Sequence, residues 1–333
     1  MANIKDVAKL ANTSITTVSR VLNNSGYVKE ETKERILKVI KELNYNPNAL
    51  ARGLVTDVTK TIGLLLPDIT NPYFANIAKA VEDAASKYDY SVFLCSTNGE
   101  IDKEIRYLEV LNQKRVDGII YGTVIDGDEG IKKVKSMNIP VVVLDRGMDK
   151  LQIDTVMVDN IKGAFLATKY LMDNGHKNIA FIGGPNNTKT SLDRKKGYIK
   201  FLKSKNVEID KNLISYGDFQ IESGFNAMKQ LIDRKVKIDA VFVANDLMAI
   251  GAINYLSKKG IDVPEEISVI GFDNVGLSSL TTPKLTTIEQ PISEMSKISI
   301  ELIMDQILEE ENKYREIKLT PKIIVRESVS KKI

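Results

Sequence analysis

Residues 61–96, TIGLLLPDITNPYFANIAKAVEDAASKYDYSVFLCS, read as one strand–helix–strand unit. The run 62–67 is apolar over the length of a buried strand, and 92–96 repeats that texture. Between them 76–87 (NIAKAVEDAASK) sets apolar side chains at helical spacing against charged ones. Strand, amphipathic helix and strand make the βαβ unit, whose parallel strands are covered on both faces. The rhythm recurs. Further strands are predicted at 118–122, 141–145, 156–159, 179–184, 241–245 and 269–273. Helical stretches fall between them, for example at 103–114, 163–174 and 221–235. Two batches of about five strands predict an α/β region of two Rossmann-like lobes rather than one large sheet. No GxGxxG follows a strand and no GxxxxGK[ST] occurs, so neither phosphate-cradling fingerprint is present. Gly183-Gly184-Pro185 reads as a turn and nothing more.

Upstream of residue 61 the texture changes to three short helices, at 4–11, 15–23 and about 30–43. Asn3 suits an N-cap, with Asp6 at the third helical position favoured by the helix dipole. Asn12-Thr13 breaks the chain, since asparagine tolerates a left-handed turn. Ser14 caps the second helix, and a loop around Gly26 leads to the third, with Ile36, Leu37, Ile40 and Leu43 on its apolar face. Two such helices joined by a short turn predict a helix-turn-helix, whose second helix enters the DNA major groove. That puts Ile15, Thr16, Thr17 and Arg20 near base edges, flanked by Ser14 and Asn23, with Val18, Val21 and Leu22 inward. An arginine can donate a bidentate pair to guanine, and double-stranded DNA is the expected partner. Pro47 then interrupts, 48–55 (NALARGLV) is a helical stretch too short to be stable alone, and 56–60 is a polar linker.

Charge follows the same division. The net +3 splits into +4 for residues 1–60 and −1 for the remainder, so the basic excess lies in the first fifth of the chain. A local basic excess suits a polyanion. At 333 residues and 43% apolar, the chain can bury a sizeable core in two or three domains. No apolar run approaches the roughly 18–20 residues that span a bilayer. The charged N-terminus lacks a secretory signal, so a cytoplasmic protein is expected. A lone cysteine, Cys95, excludes an internal disulfide, and a lone histidine, His176, removes the usual general base. No metal, cofactor or enzymatic activity is expected. His176 reads as structural, Cys95 as a packed apolar side chain, the acidic segment 126–130 as a solvated loop and 309–311 as a charged helix end.

The headpiece IKDVAKLANTSITTVSRVLNNSGYVKEETKERILKVIKELNYNPNALARGL resembles that of the lactose-repressor (LacI/GalR) family. The resemblance continues through IGLLLPDITNPYF, QKRVDGII, VVVLDR, VDN, NGHKNIAFIGGP, ANDLMAIGA, VPEEISVIGFDN and LTTIEQP, covering nearly the whole chain. It implies a headpiece over 1–46, a hinge helix and linker over 47–60, and a two-lobed effector and dimerisation region over 61–333. The lobes are expected at about 61–160 plus 291–320 and about 161–290 plus 321–333. The resemblance also implies that 48–55 is the hinge helix, with Ala51 and Leu54 reaching the minor groove. An apolar wedge there unstacks a base step and kinks the duplex.

Doubly wound sheets place ligands at the C-terminal ends of their strands. The residues there form one set: Tyr73, Phe74, Asp145, Arg146, Arg194, Phe219, Asn245, Asp273 and Gln290. Rings that stack on C–H faces, with carboxylates, arginines and amides that pair with hydroxyls, suit a small polyol. The set resembles the pattern of ribose repressors, which implies a pentose effector and a homodimeric, ligand-controlled repressor. Asp145, Asn245 and Asp273 could also serve only as helix caps. Alternatives are a catabolite-control or purine-type regulator needing a corepressor, and a transport-type sugar-binding protein.

Overall fold

The computed structural model describes residues 2–23, 25–45, 58–122, 129–145, 152–308 and 314–332, with Asn23 through its backbone alone. Met1–Lys60 and Thr61–Ile333 are two compact units.

The first unit holds α1 (Ile4–Leu10), α2 (Ile15–Asn23) and α3 (Glu30–Glu42). Asn3 Oδ1 accepts from the Lys5 and Asp6 amides, and the Asp6 carboxylate accepts from Asn3 N at 2.9 Å. Asp6 therefore closes a reciprocal capping box, a stronger role than the dipole alone gives it. Asn12 takes the left-handed turn at φ 46°. The Ser14 hydroxyl oxygen accepts from Thr17 N at 3.1 Å and starts α2. Val7, Ala8, Ala11, Val18, Ile36 and Val39 form the core, with Val21, Leu22, Ile40 and Leu43 packed around it. Leu37 departs from expectation. It is 49% exposed, and Val39 holds the core position. At 100° per residue, positions 36, 39, 40 and 43 share one face and 37 turns off it.

The second unit begins with β1 (Thr61–Leu66), α4 (Pro72–Ser86), β2 (Ser91–Ser96), α5 (Ile101–Gln113), β3 (Gly118–Tyr121), α6 (Glu129–Ser136), β4 (Val141–Leu144) and β5 (Asp154–Val158). It continues with α7 (Asn160–Asp173), β6 (Ile179–Gly183), α8 (Lys189–Ser204), β7 (Ile214–Tyr216), α9 (Ile221–Asp233), β8 (Ala240–Val243), α10 (Asp246–Lys258) and β9 (Ser268–Ile270). Last come β10 (Thr287–Glu289), α11 (Ile292–Ile307), β11 (Glu316–Leu319) and β12 (Lys322–Ile324). Two parallel sheets result, ordered β11-β5-β4-β3-β1-β2 and β7-β6-β8-β9, while β10 and β12 form an antiparallel ribbon. The chain passes between the sheets near Asp159, Gln290 and Thr320.

The continuous buried run of β1 beyond its half-buried first residue, and the fully buried β3 to β6, fit sheets covered on both faces. α4 starts at Pro72, four residues ahead of expectation. Asn71 Oδ1 accepts from Tyr73 N at 3.0 Å, and proline sits at the first helical position. Cys95 is buried, and burial pushes its thiol up to about 11. His176 is buried too, its Nε2 3.1 Å from the Ser330 carbonyl and its Nδ1 3.7 Å from Asp239. Both are structural residues. No described helix is long and apolar enough to cross a membrane.

Candidate functional site

A cleft of about 230 Å³ opens between the two sheets at the C-terminal ends of their strands. Tyr73, Phe74 and Asp145 line it from one lobe, and Arg194, Phe219, Asn245 and Asp273 from the other. The structure thus brings together seven of the nine expected effector residues. Gln290 lies just beneath, buried and bonded to that lining. Arg146 lies outside the described residues.

A hydrogen-bonded chain runs under the cleft from lobe to lobe. The Tyr73 hydroxyl stands 2.5 Å from Asp145 Oδ1 and 3.0 Å from Gln290 Oε1. Its one hydrogen is shared between the two acceptors, with the shorter, charge-assisted bond to the carboxylate taking the larger part. Gln290 Nε2 donates to Asp273 Oδ1 at 2.7 Å, and Arg194 reaches the same oxygen at 3.4 Å. Arg194 also donates to Asn160 Oδ1 at 2.9 Å and to the Ala244 carbonyl at 2.5 Å, and lies 3.8 Å over the Phe272 ring. Tyr73 is therefore less a stacking ring than a strut: it is buried, edge-on to Phe74, with its hydroxyl in the network.

Burial sets the electrostatics. It pushes the Asp273 carboxyl up to about 6, opposed by Arg194 and the Gln290 bond and aided by the Asp145 charge. The Tyr73 phenol rises well above its ordinary value through burial and then through Asp145 and Asp273. Asp246, behind the cleft, is driven well up by burial and by Asp273, although the Thr287 hydroxyl and the Val275 amide donate to it.

Backbone strain gathers at the same place. Asp145 (φ 75°), Phe219 (φ 72°) and Asp273 (φ 112°) occupy a region that costs a non-glycine residue about 1–3 kcal/mol. The surroundings hold them there. Asn245 accepts from Met248 N to cap α10, and its Nδ2 donates to the Phe219 carbonyl at 2.9 Å. Asn245 thus caps α10, as the alternative reading expected, and also lines the cleft. Gly184 is more than a turn residue: a Cβ there would stand 2.2 Å from the Phe219 ring. Sequence reasoning missed Asp68, Asn160, Gln220 and Asp246. Asn160 and Asp246 sat in the motifs VDN and AND, directly after strands, which was the available signal.

In the headpiece, Ile15, Thr16 and Arg20 are exposed while Val18 is fully buried, so one face of α2 is free. The Ser14 hydroxyl, which caps α2, stands 2.8 Å from the Thr17 hydroxyl and hydrogen-bonds it. The Asn23 side chain, Ala51, Leu54 and the whole hinge stretch 48–55 lie outside the described residues.

A three-helix helix-turn-helix unit joined to a two-sheet unit with a polar cleft defines a ligand-responsive DNA-binding regulator. Residues 3–48 match the bacterial regulatory proteins of the lacI family, and residues 59–327 match the periplasmic binding proteins and sugar binding domain of the LacI family. The HTH-type transcriptional repressor PurR of Mannheimia succiniciproducens is 39% identical over 99% of both chains. The ribose operon repressor of Halalkalibacterium halodurans is 39% identical over 98% of this chain and 97% of its own. Among solved structures, the lac repressor dimer bound to operator and the anti-inducer ONPF superposes with TM-score 0.90 at 27% identity, covering 99% of each chain. The regulator CelR in complex with cellobiose gives 0.77 at 32%, covering 98% of this chain and all of its own. A LacI family regulator from Enterococcus faecium with bound ribose gives 0.73 at 31%, covering 82% and 100%. The chain belongs to the LacI family and is a DNA-binding transcriptional repressor with a ligand-binding domain.

Proposed function

We propose that the cleft binds a small sugar, a pentose with ribose first, and that this ligand controls operator affinity. The observation that carries the reading is the pair of buried carboxylates, Asp145 and Asp273, joined across the lobes through Tyr73 and Gln290 beside Arg194. Sugar hydroxyls donate to carboxylates and accept from guanidinium and amide groups, and a site built of such groups rejects ligands that leave them unpaired. A cleft of about 230 Å³ suits one sugar ring. The carboxylates serve as hydroxyl acceptors rather than as an acid–base pair.

The headpiece, 1–46, reads DNA through Ile15, Thr16, Thr17 and Arg20, with Ser14 and Asn23 at the ends of the helix. Residues 47–60 form the hinge and linker, with Ala51 and Leu54 at the minor groove, and 61–333 the effector and dimerisation region. A symmetric homodimer on a palindromic operator of about 14–18 base pairs follows. A second reading, a purine corepressor, is supported by the 39% identity to a PurR repressor, equal to that with a ribose operon repressor. Calorimetric titration of ribose, other pentoses, hexoses, hypoxanthine and guanine into the full chain decides between them. Pentose binding supports the first reading, and purine binding with strengthened operator affinity replaces it with the second.

A further inference from the structure

Asp68 and Gln220 face each other across the mouth of the cleft, one from each lobe, with Gln220 Nε2 donating to Asp68 Oδ2 at 3.3 Å. Both ends are held in place. Asp68 Oδ1 accepts from the Thr70 amide at 2.8 Å and the Thr70 hydroxyl at 2.6 Å, which leaves Oδ2 for the other lobe. Although burial raises its carboxyl, those bonds and the one from Gln220 keep it lowered, so Asp68 meets Gln220 as a charged acceptor. On the facing side, Gln220 N donates to Asp218 Oδ1 at 3.0 Å, and Asp218 N donates to the Ser223 hydroxyl at 3.0 Å. Phe219, with φ 72°, is fixed by Asn245 and by the space above Gly184. Gln220 stands at the N-cap of α9 but makes no capping bond, so its amide is spent on the other lobe.

The fold itself leaves ligand size open, since one relative encloses cellobiose and another ribose. Something local must set the limit here. We propose that the Asp68–Gln220 pair is a bar across the cleft mouth that restricts the effector to a single ring and favours the closed lobes. A second ring would project through the mouth and break the bridge; a single ring fits behind it. This specificity role rests on the sugar-effector reading, whereas the bar's existence does not.

The test uses the full chain and two independent readouts. The first is ligand-free: in Asp68→Cys/Gln220→Cys, a short bis-maleimide should join the two thiols, because Cys95 is buried and does not compete. Failure to cross-link, with each single variant still labelled, overturns the bar. The second is calorimetry of Gln220→Ala and Gln220→Glu with ribose and cellobiose. Wild type should take ribose alone. Both variants should bind ribose about threefold to tenfold more weakly, the loss expected of one ordinary hydrogen bond, since solvent exposure offsets the charge on Asp68. They should gain measurable cellobiose binding, and Asp68→Asn should rescue the Gln220→Glu protein by restoring a donor opposite the new carboxylate. Cellobiose binding to wild type, or unchanged selectivity in both variants, overturns the specificity role. If wild type binds guanine instead of ribose, the effector reading fails. The bar is then judged by guanosine, which only the variants should admit.

Discussion

Burial pushes the Asp273 carboxyl up to about 6 even with Arg194 3.4 Å away. A folded-state value above the ordinary 3.8 means that the fold favours the protonated form. That contribution is full below about pH 3.8 and is lost as pH rises through about 6, on the order of 3 kcal/mol. Asp273→Asn should flatten the stability profile between pH 4 and 6, as read by urea denaturation at several pH values. An unchanged slope would locate the titration elsewhere. Asp239 does not interfere: burial raises it, but His176, Asn178 and Lys177 hold it at about 2, so it acts only below about pH 4. A second residue, Gly184, sets the ring of Phe219. Gly184→Ala puts a methyl 2.2 Å from that ring and must displace it, a cost of about 1–3 kcal/mol. Effector affinity should fall by about tenfold or more while the melting transition stays cooperative. At this scale the sequence identified the residue types of the cleft, because each follows a strand that periodicity locates. It did not reveal that Tyr73 works through its hydroxyl, since the Asp145 and Gln290 partners are 72 and 217 residues away.

At the scale of elements, α1 depends on its reciprocal cap. Asn3→Ala removes the acceptor for the Lys5 and Asp6 amides and leaves only the Asp6 half of the box, which bonds the residue-3 backbone amide, costing about 1 kcal/mol. Hydrogen exchange at Val7 and Ala11 should quicken accordingly, and unchanged protection would mean the helix is held by packing alone. α2 presents Arg20 on its exposed face, so Arg20→Ala should weaken operator binding by about 1–3 kcal/mol and relax preference at one symmetric base pair. Equal losses on every sequence would assign Arg20 to phosphate. These helices were legible because their caps and breaks are written in short polar residues at fixed offsets. The buried parallel strands were legible for a different reason: they are unbroken apolar runs. β7, β10, β11 and β12 escaped notice, being three or four residues long and, in β11 and β12, only half-buried. A strand such as EIKL finds its place through its ladder to β5, a partner that local pattern does not name. Leu37 failed in the opposite way, an apolar residue one position off the face that Ile36 and Val39 define.

For the whole molecule, the hydrogen-bonded chain from Asp145 through Tyr73, Gln290 and Asp273 to Arg194 ties the two lobes beneath the cleft. A sugar that replaces or completes those bonds binds one lobe arrangement better than another, and a ligand shifts an equilibrium only by that difference. The linker runs directly into β1, so the first lobe is the one joined by the chain to the headpiece. Couplings of this kind amount to about 1–3 kcal/mol, or roughly 5–150-fold. Saturating pentose should therefore weaken operator binding within that range, as measured by fluorescence anisotropy at fixed salt, since phosphate contacts make the affinity steeply salt-dependent. Linkage then fixes the reverse experiment: operator DNA must weaken pentose binding by the same factor, read by calorimetry on the repressor–operator complex. Tyr73→Phe separates the strut from the ligand contacts. It keeps the ring and removes the hydroxyl that joins Asp145 to Gln290, so the coupling should shrink while operator affinity without sugar stays near the wild-type value. A full response from Tyr73→Phe would place the coupling outside this chain of bonds, and a sugar that tightens operator binding would make the ligand a corepressor.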